Sequence, residues 1–233
     1  MKIALLGYGK MGQTIEQLAL ARGHQIAVAT NNTDDLTDFK GAEVAIDFSV
    51  PTAAYNNIKL ALEAGIPVIS GTTGWLEELP KIESYCKEQG GAFLYASNFS
   101  VGVNIFFAIN SKLAEMMGSQ PQYEPRITEI HHTQKLDKPS GTAISLAEEL
   151  LKFSQSSAWT LQKEKKEDLW IDSIREGDVK GTHEVVYRSE VDTLSIRHEA
   201  HSREGFALGA ILAAQWIIGR QGVFSMQDVL NIS

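Results

Sequence analysis

Between Glu129 and Ala143 the chain reads Glu-Ile-His-His-Thr-Gln-Lys-Leu-Asp-Lys-Pro-Ser-Gly-Thr-Ala, which gathers two adjacent histidines, two lysines and a small-residue turn. Histidine exchanges a proton near neutral pH, and lysine supplies a fixed positive charge or a second donor. His131 and Lys135 are four apart and His132 and Lys135 three apart, so a single turn can bring either pair together. Ser140-Gly141-Thr142 then opens a helical run to Lys152 with Ser140 as N-cap, and a helix N-terminus offers N–H groups to a carboxylate. Together these residues describe a pocket for an anionic substrate beside a proton donor. On spacing alone the two histidines are interchangeable, and a docking patch, a solvated loop and a metal site are the competing readings. Zinc is disfavored by ligand count, because the chain has no HExxH spacing and no cysteine pair, and strand alternation sets His198 and His201 on opposite faces. His24 and His183 have no partner that the sequence identifies and read as structural or surface residues. The mixed-charge run Lys163–Glu167 reads as a solvated segment.

The cluster is an exception within its own chain. The 233 residues carry a formal charge of −8, which argues against nucleic acid or an anionic membrane as a partner of the whole protein. A hydrophobic content of 43% with 21% charged residues is that of a globular protein with a real core, one elaborated domain or two modest ones. The lone Cys86 excludes internal disulfides and fits a reducing compartment. No segment reaches the ~18 consecutive apolar residues of a membrane span, and no signal-like apolar region follows Met1. A cytoplasmic location is expected.

The elements that must position these residues follow from periodicity. Lys2–Leu6 is a short apolar strand ending at Gly7, and Thr14–Ala21 carries Ile15, Leu18 and Ala19 at helical spacing. Further strands are predicted at 25–29, 43–47, 66–70 and 92–95, with helices from Pro51 to Ala64 and over most of 75–89. This alternation predicts an α/β fold: an N-terminal, Rossmann-type, doubly wound parallel sheet. After Ser100 the pattern changes. A helix over 101–117, a strand from Arg126 to the histidines, the capped helix at 140–152, strands near 183–188 and 193–199 and a long apolar helix from Glu204 to Ile218 predict a second, α+β domain with antiparallel strands. The final helices can fold back on the first domain, and 154–166 reads as the most exposed loop.

Gly7-x-Gly9-x-x-Gly12, between a strand and a helix, has the form of a dinucleotide-binding turn, with Gly7, Tyr8, Gly9, Lys10, Met11 and Gly12 as candidate cofactor contacts. The acid expected about 20 residues further on is missing. Asn31 stands there, with Asp34 and Asp35 a little late; it can bond a ribose hydroxyl without repelling a 2′-phosphate, and no arginine favors NADP. Both NADH and NADPH therefore stay open. Gly71, Thr72 and Thr73, and Ala96, Ser97, Asn98 and Phe99, follow two further strand ends, where open α/β sheets bind ligands, and are candidates for the nicotinamide half. Asp47-Phe48-Ser49 is a weaker signal of the same kind.

Taken in order, Gly7 to Gly12, Asp47-Phe-Ser, Gly71-Thr-Thr-Gly74, Ser97 to Asn104, Glu129-x-His131-His132-x-x-Lys135-x-Asp137-x-Pro139-Ser140-Gly141-Thr142-Ala143 and His201-Ser-Arg to Ala210 closely resemble the 4-hydroxy-tetrahydrodipicolinate reductase (dihydrodipicolinate reductase) family. The resemblance implies a two-domain, homotetrameric enzyme of lysine and diaminopimelate synthesis. It would use NADH or NADPH to reduce a small cyclic dicarboxylate after loss of water. It implies His131 as general acid/base, Lys135 as proton donor, and His132, Gly141 and Thr142 as carboxylate ligands. Residues 1–100 with 205–233 would bind the dinucleotide, and 101–204 would bind substrate and form the tetramer. The chain departs from better-known members by a contracted segment between the second and third strands and by Asn31, where many members have an acid. Another small-acid or amino-acid dehydrogenase would have no reason to reproduce His-His-x-x-Lys with Pro-Ser-Gly-Thr. A non-catalytic dinucleotide sensor would have no use for the proton donors.

Overall fold

The computed structural model describes all residues except Asp34, Asp35, Thr37, Glu164, Lys165, Lys166, Arg203 and Ser233. The late acids after the second strand, the middle of the 163–167 charge run and the arginine of His201-Ser-Arg therefore lie outside the described residues. The chain divides into two compact units, Met1–Asn104 with Glu204–Ser233, and Ile105–Arg203.

The first unit is built on a parallel sheet. Strands β1 (Lys2–Leu6), β2 (Gln25–Thr30), β3 (Val44–Asp47), β4 (Val68–Ser70), β5 (Ala92–Tyr95) and β11 (Gly222–Phe224) lie in the order β11-β5-β4-β3-β1-β2. Side chains alternate across a strand, so Ile3 and Leu5 join one core while Ala4 and Leu6 join the other. The first core is covered by α1 (Lys10–Ala21) and α6 (Glu204–Ile217), the second by α2 (Pro51–Glu63) and α3 (Leu79–Glu88). With helices on both faces, a strand has no solvent side, which is why Ile3–Leu6 of β1 and Val44–Ile46 of β3 read as unbroken apolar runs. Each fully buried Leu or Ile contributes about 1.5–3 kcal/mol. Strand β11 and the short helix α7 (Met226–Leu230), which carries a Ser225–Asp228 capping box, were not anticipated by the strand pattern.

The second unit has the expected antiparallel strands and amends the expectation only by adding parallel ones. Its strands β6 (Glu124–His131), β7 (Trp159–Thr160), β8 (Leu169–Arg175), β9 (Thr182–Arg188) and β10 (Thr193–Glu199) lie in the order β10-β9-β6-β8-β7. β9 pairs antiparallel with β6 and β10, but β8 runs parallel to both β6 and β7, so the sheet is mixed. The crossover that a parallel pair requires is supplied by α5 (Gly141–Leu151). The predicted loop 154–166 is corrected as well, since it contains β7 and buries Thr160. Ile127, Ile171 and Val185 of the sheet pack with Leu146 and Leu150 of α5 and with Phe106 and Ala114 of α4 (Val101–Met117).

Candidate active site

The alternation that buries Ile127 continues along β6 to Glu129 and His131, so the apolar core of the second unit turns polar at the strand's C-terminal end. The register places Ser173 and His183 on either side of Glu129, and Arg175 beside His131. Glu129 has no exposed surface. Its Oε1 accepts from Arg175 Nη1 (2.9 Å), from the Ser140 N–H (3.3 Å) and from the Ser173 hydroxyl, while Oε2 forms an ion pair with His131 Nδ1. The opposite ring nitrogen of His131, Nε2, faces Gly181, where a Cβ would come within 3.2 Å, so the missing side chain keeps the space beside Nε2 clear. A carboxylate on one ring nitrogen and a position free of any side chain against the other is the arrangement of an oriented acid/base.

Arg175 extends this order into the loop. Its Nε donates to the Lys135 carbonyl (3.2 Å) and Nη2 to the Asp137 carbonyl (2.5 Å), which fixes the turn carrying Lys135. The Lys135 ammonium bonds to Asp137 Oδ1 (2.7 Å) and holds that carboxyl below the usual range. Half-buried His132 lines a cleft of about 210 Å³ with Thr133, Gln134, Gly177 and Asp178. Ser140 caps α5 as predicted, accepting from Ala143 N. Among the described residues, nothing accepts from the N–H groups of Gly141 and Thr142, two of the donors a helix N-terminus leaves over, and Gly141 is exposed. These groups can take a carboxylate.

His183 is a correction. Read as a residue with no identifiable partner, it is buried with its ring 5.1 Å from that of His131 and its Nε2 3.1 Å from Ser140 Oγ. Glu129, His131 and His183 bring three donor atoms within 4.8 Å, a gathering that no sequence spacing announces. The carboxylate is already engaged by Arg175 and His131, so its charge is compensated inside the protein. Arg175 was missed because its strand mixes Trp170 and Ile174 with Leu169 and Ile171. The residual signal was the period-two series Leu169, Ile171, Ser173, Arg175.

The electrostatics give a pH dependence. Burial, and next the charge of His131, hold His183 down to about 3. Burial alone would raise Glu129, but bonds from His131, Ser173 and Arg175 outweigh it and hold the carboxyl at about 2. Both folded values are depressed. The stability they contribute is thus complete above the unfolded values of 6.5 and 4.5 and is lost as pH falls toward the folded ones. Thermal unfolding followed by circular dichroism is expected to show Tm falling as pH drops below about 6.5, and His183→Asn to flatten the first part of that fall. A wild-type Tm that is flat between about pH 7 and 5 would contradict this.

In the first unit, Gly7 has φ +98, and a Cβ there would meet the Phe48 carbonyl at 2.2 Å. Gly9 is open, and α1 begins without a side-chain cap or an acid in its first turn. The helix N-terminus, open at Gly9 and Lys10 and closing through half-buried Met11 to buried Gly12, therefore fits a dinucleotide pyrophosphate. Asn31 Oδ1 accepts from Tyr8 N at 2.6 Å and so braces this turn, which leaves the side-chain amide N–H groups as its hydrogen-bonding offer to a ribose. The loop residues divide by orientation. Thr73 and Ser97 are exposed, whereas Thr72 and Phe99 turn inward.

Residues 1–99 match the family model for the dihydrodipicolinate reductase N-terminus, and residues 102–230 that for its C-terminus. A 4-hydroxy-tetrahydrodipicolinate reductase from Christiangramia forsetii is 50% identical over 99% of this chain and 98% of its own length. One from Methanoculleus marisnigri is 36% identical over 85% of this chain and 80% of its own. The solved dipicolinate-bound dihydrodipicolinate reductase from Paenisporosarcina sp. TG-14 shares the fold, with a TM-score of 0.79 over 97% of each chain at 20% identity. With matches that run through both units from end to end, this chain belongs to the dihydrodipicolinate reductase family, NAD(P)H-dependent oxidoreductases of lysine and diaminopimelate synthesis.

Proposed function

We propose that the chain reduces 4-hydroxy-tetrahydrodipicolinate to tetrahydrodipicolinate with loss of water, and that His131 delivers the proton. The observation that carries this reading is the buried Glu129–His131 pair beside the uncapped N–H groups of Gly141 and Thr142. Loss of water from the cyclic hydroxy diacid leaves an unsaturated imine. When bound, the nicotinamide supplies a hydride. The ring that accepts it gains enamine electron density, which His131 protonates from Nε2, while Glu129 stabilizes the imidazolium and holds the ring in place. One hydride and one proton are gained, one water is lost, and solvent returns the proton to His131. Gly141 and Thr142 N–H groups, with His132, would hold the carboxylates, and Lys135 would supply charge and a second donor. The dipicolinate captured by the solved relative is likewise a dicarboxylate bearing a six-membered ring, which supports this choice of substrate.

We place the enzyme in the cytoplasm, with its nicotinamide pool. Among the described residues, no helix is long and apolar enough to cross a membrane. A homotetramer formed through the second unit is favored by its edge strand β10, which presents Leu194 (44% exposed) and is preceded by Val191 (87% exposed).

The test supplies freshly made substrate from the preceding synthase and follows nicotinamide absorbance with NADH and NADPH separately. Turnover is expected with at least one. Absence of turnover with both would overturn the reading.

A further inference from the structure

The weak motif Asp47-Phe48-Ser49 sits at the center of the first unit's loop system. Asp47 has no exposed surface, yet its carboxylate receives four hydrogen bonds. Oδ1 accepts from Ser49 Oγ (2.6 Å) and Asn57 Nδ2 (2.9 Å), and Oδ2 from Ser70 Oγ (2.8 Å) and Thr72 Oγ1 (2.7 Å). The network reaches outward from there. Asn57 Oδ1 accepts from Thr33 Oγ1 at 2.7 Å, in the segment after β2 that also holds Asn31. Thr72 Oγ1 accepts from Ser49 N (2.8 Å), and the Thr72 carbonyl accepts from Trp75 Nε1 (2.7 Å), so Thr72 is occupied as a brace inside its loop. Phe48 completes the pattern by contact. A Cβ on Gly7 would lie 2.2 Å from the Phe48 carbonyl, a Cβ on Gly71 would lie 2.2 Å from the Phe48 ring, and that ring packs 5.5 Å from Phe99.

These three residues thus touch the glycine turn, the 71–74 loop and the 96–99 loop, and reach the segment after β2 through Asn57. Burial pushes the Asp47 carboxyl up, and the four donors only partly offset that cost. A carboxylate in such a place is weak evidence of stabilization, because an apolar side chain of similar volume often serves a core as well or better. What an apolar residue cannot do is hold hydroxyls from two loops and a strand end, and an amide from a helix, in one register.

We propose that Asp47 is the positioning residue of the nucleotide site, the anchor that sets the loops after β2, β3 and β4 in the shape that receives the nicotinamide dinucleotide. This rests on reading the 71–74 loop as a cofactor contact. Asp47 itself touches no cofactor. It acts through Thr72, Ser70, Ser49 and Asn57.

The test measures the Kd of NADH and NADPH by fluorescence titration, alongside kcat and the KM of each substrate, for wild type, Asp47→Asn, Thr72→Val and Thr73→Glu. Thr72→Val removes one spoke of the network and keeps Asp47, so it decides the matter should Asp47→Asn fail to fold. Both brace variants are expected to raise the nucleotide Kd about tenfold or more, since small misplacements of binding groups carry large penalties. The KM for the dicarboxylate and the saturated kcat should stay within about threefold, a split that general destabilization does not produce. Thr73→Glu, on the exposed side of the same loop, should also weaken the nucleotide. If Thr73→Glu weakens binding while the folded brace variants bind as wild type does, the loop assignment stands and the Asp47 proposal is overturned. If Thr73→Glu also binds normally, the loop assignment falls and takes the proposal with it.

Discussion

His131→Asn is expected to lower kcat by about 10²–10⁴-fold, the span of a lost general acid, while the nucleotide Kd stays within about twofold. The separation follows from placement, because His131 ends β6 in the second unit and the glycine turn lies in the first. Asparagine fills much of the imidazole's volume and still offers an N–H toward Glu129, so the buried carboxylate keeps a donor and the fold should survive. What disappears is a group that can gain and lose a proton. Lys135→Ala should have the smaller effect, because Lys135 is tied to exposed Asp137 by a bond that solvent can replace. Steady-state kinetics with the nucleotide saturating give kcat directly. An Asn variant with wild-type turnover would remove His131 from the mechanism, and an equal loss of nucleotide affinity would show a global defect rather than a missing acid.

The first unit was legible in the sequence because its signals are local. Gly7 must stand where a strand ends and a helix begins, and both β1 and the first helical turn are contiguous with it. Ser140 was recognizable as a cap for the same reason, since its partner Ala143 is three residues away. The histidine cluster was visible as a composition, but its division of labor was not. Glu129 and His131 are two apart and so share a strand face, a relation that spacing could have suggested once the strand was placed. Arg175, Ser173 and His183 lie 44–54 residues from Glu129 in the chain and meet it only through the register of β8 and β9. Nothing local marks such partners. Buried polar residues on a strand read as a break in its apolar pattern, which is why β8 was overlooked and His183 was left between a structural and a surface reading. Asp47 illustrates the same limit, because its four donors come from residues 49, 57, 70 and 72, and only the first is near in sequence.

Glu129→Gln tests whether this hidden carboxylate acts on the chemistry or only on the fold. Glutamine keeps the shape and an oxygen for Arg175, Ser173 and Ser140, so the loop that Arg175 fixes through the carbonyls of Lys135 and Asp137 should persist. The change falls on the other side, where an ionized oxygen facing His131 Nδ1 becomes a neutral amide. A protonated ring at this buried position then has no adjacent negative charge, and the donor form that the reaction consumes is disfavored. The expected result is a fall in kcat of about 10²-fold at pH 7.5, comparable in kind to replacing the acid behind a catalytic histidine. The nucleotide Kd should not respond. A wild-type kcat in Glu129→Gln, or a loss that falls equally on kcat and on nucleotide affinity, would mean that Glu129 serves as scaffold alone, because a structural defect lowers the amount of competent enzyme without singling out the chemical step.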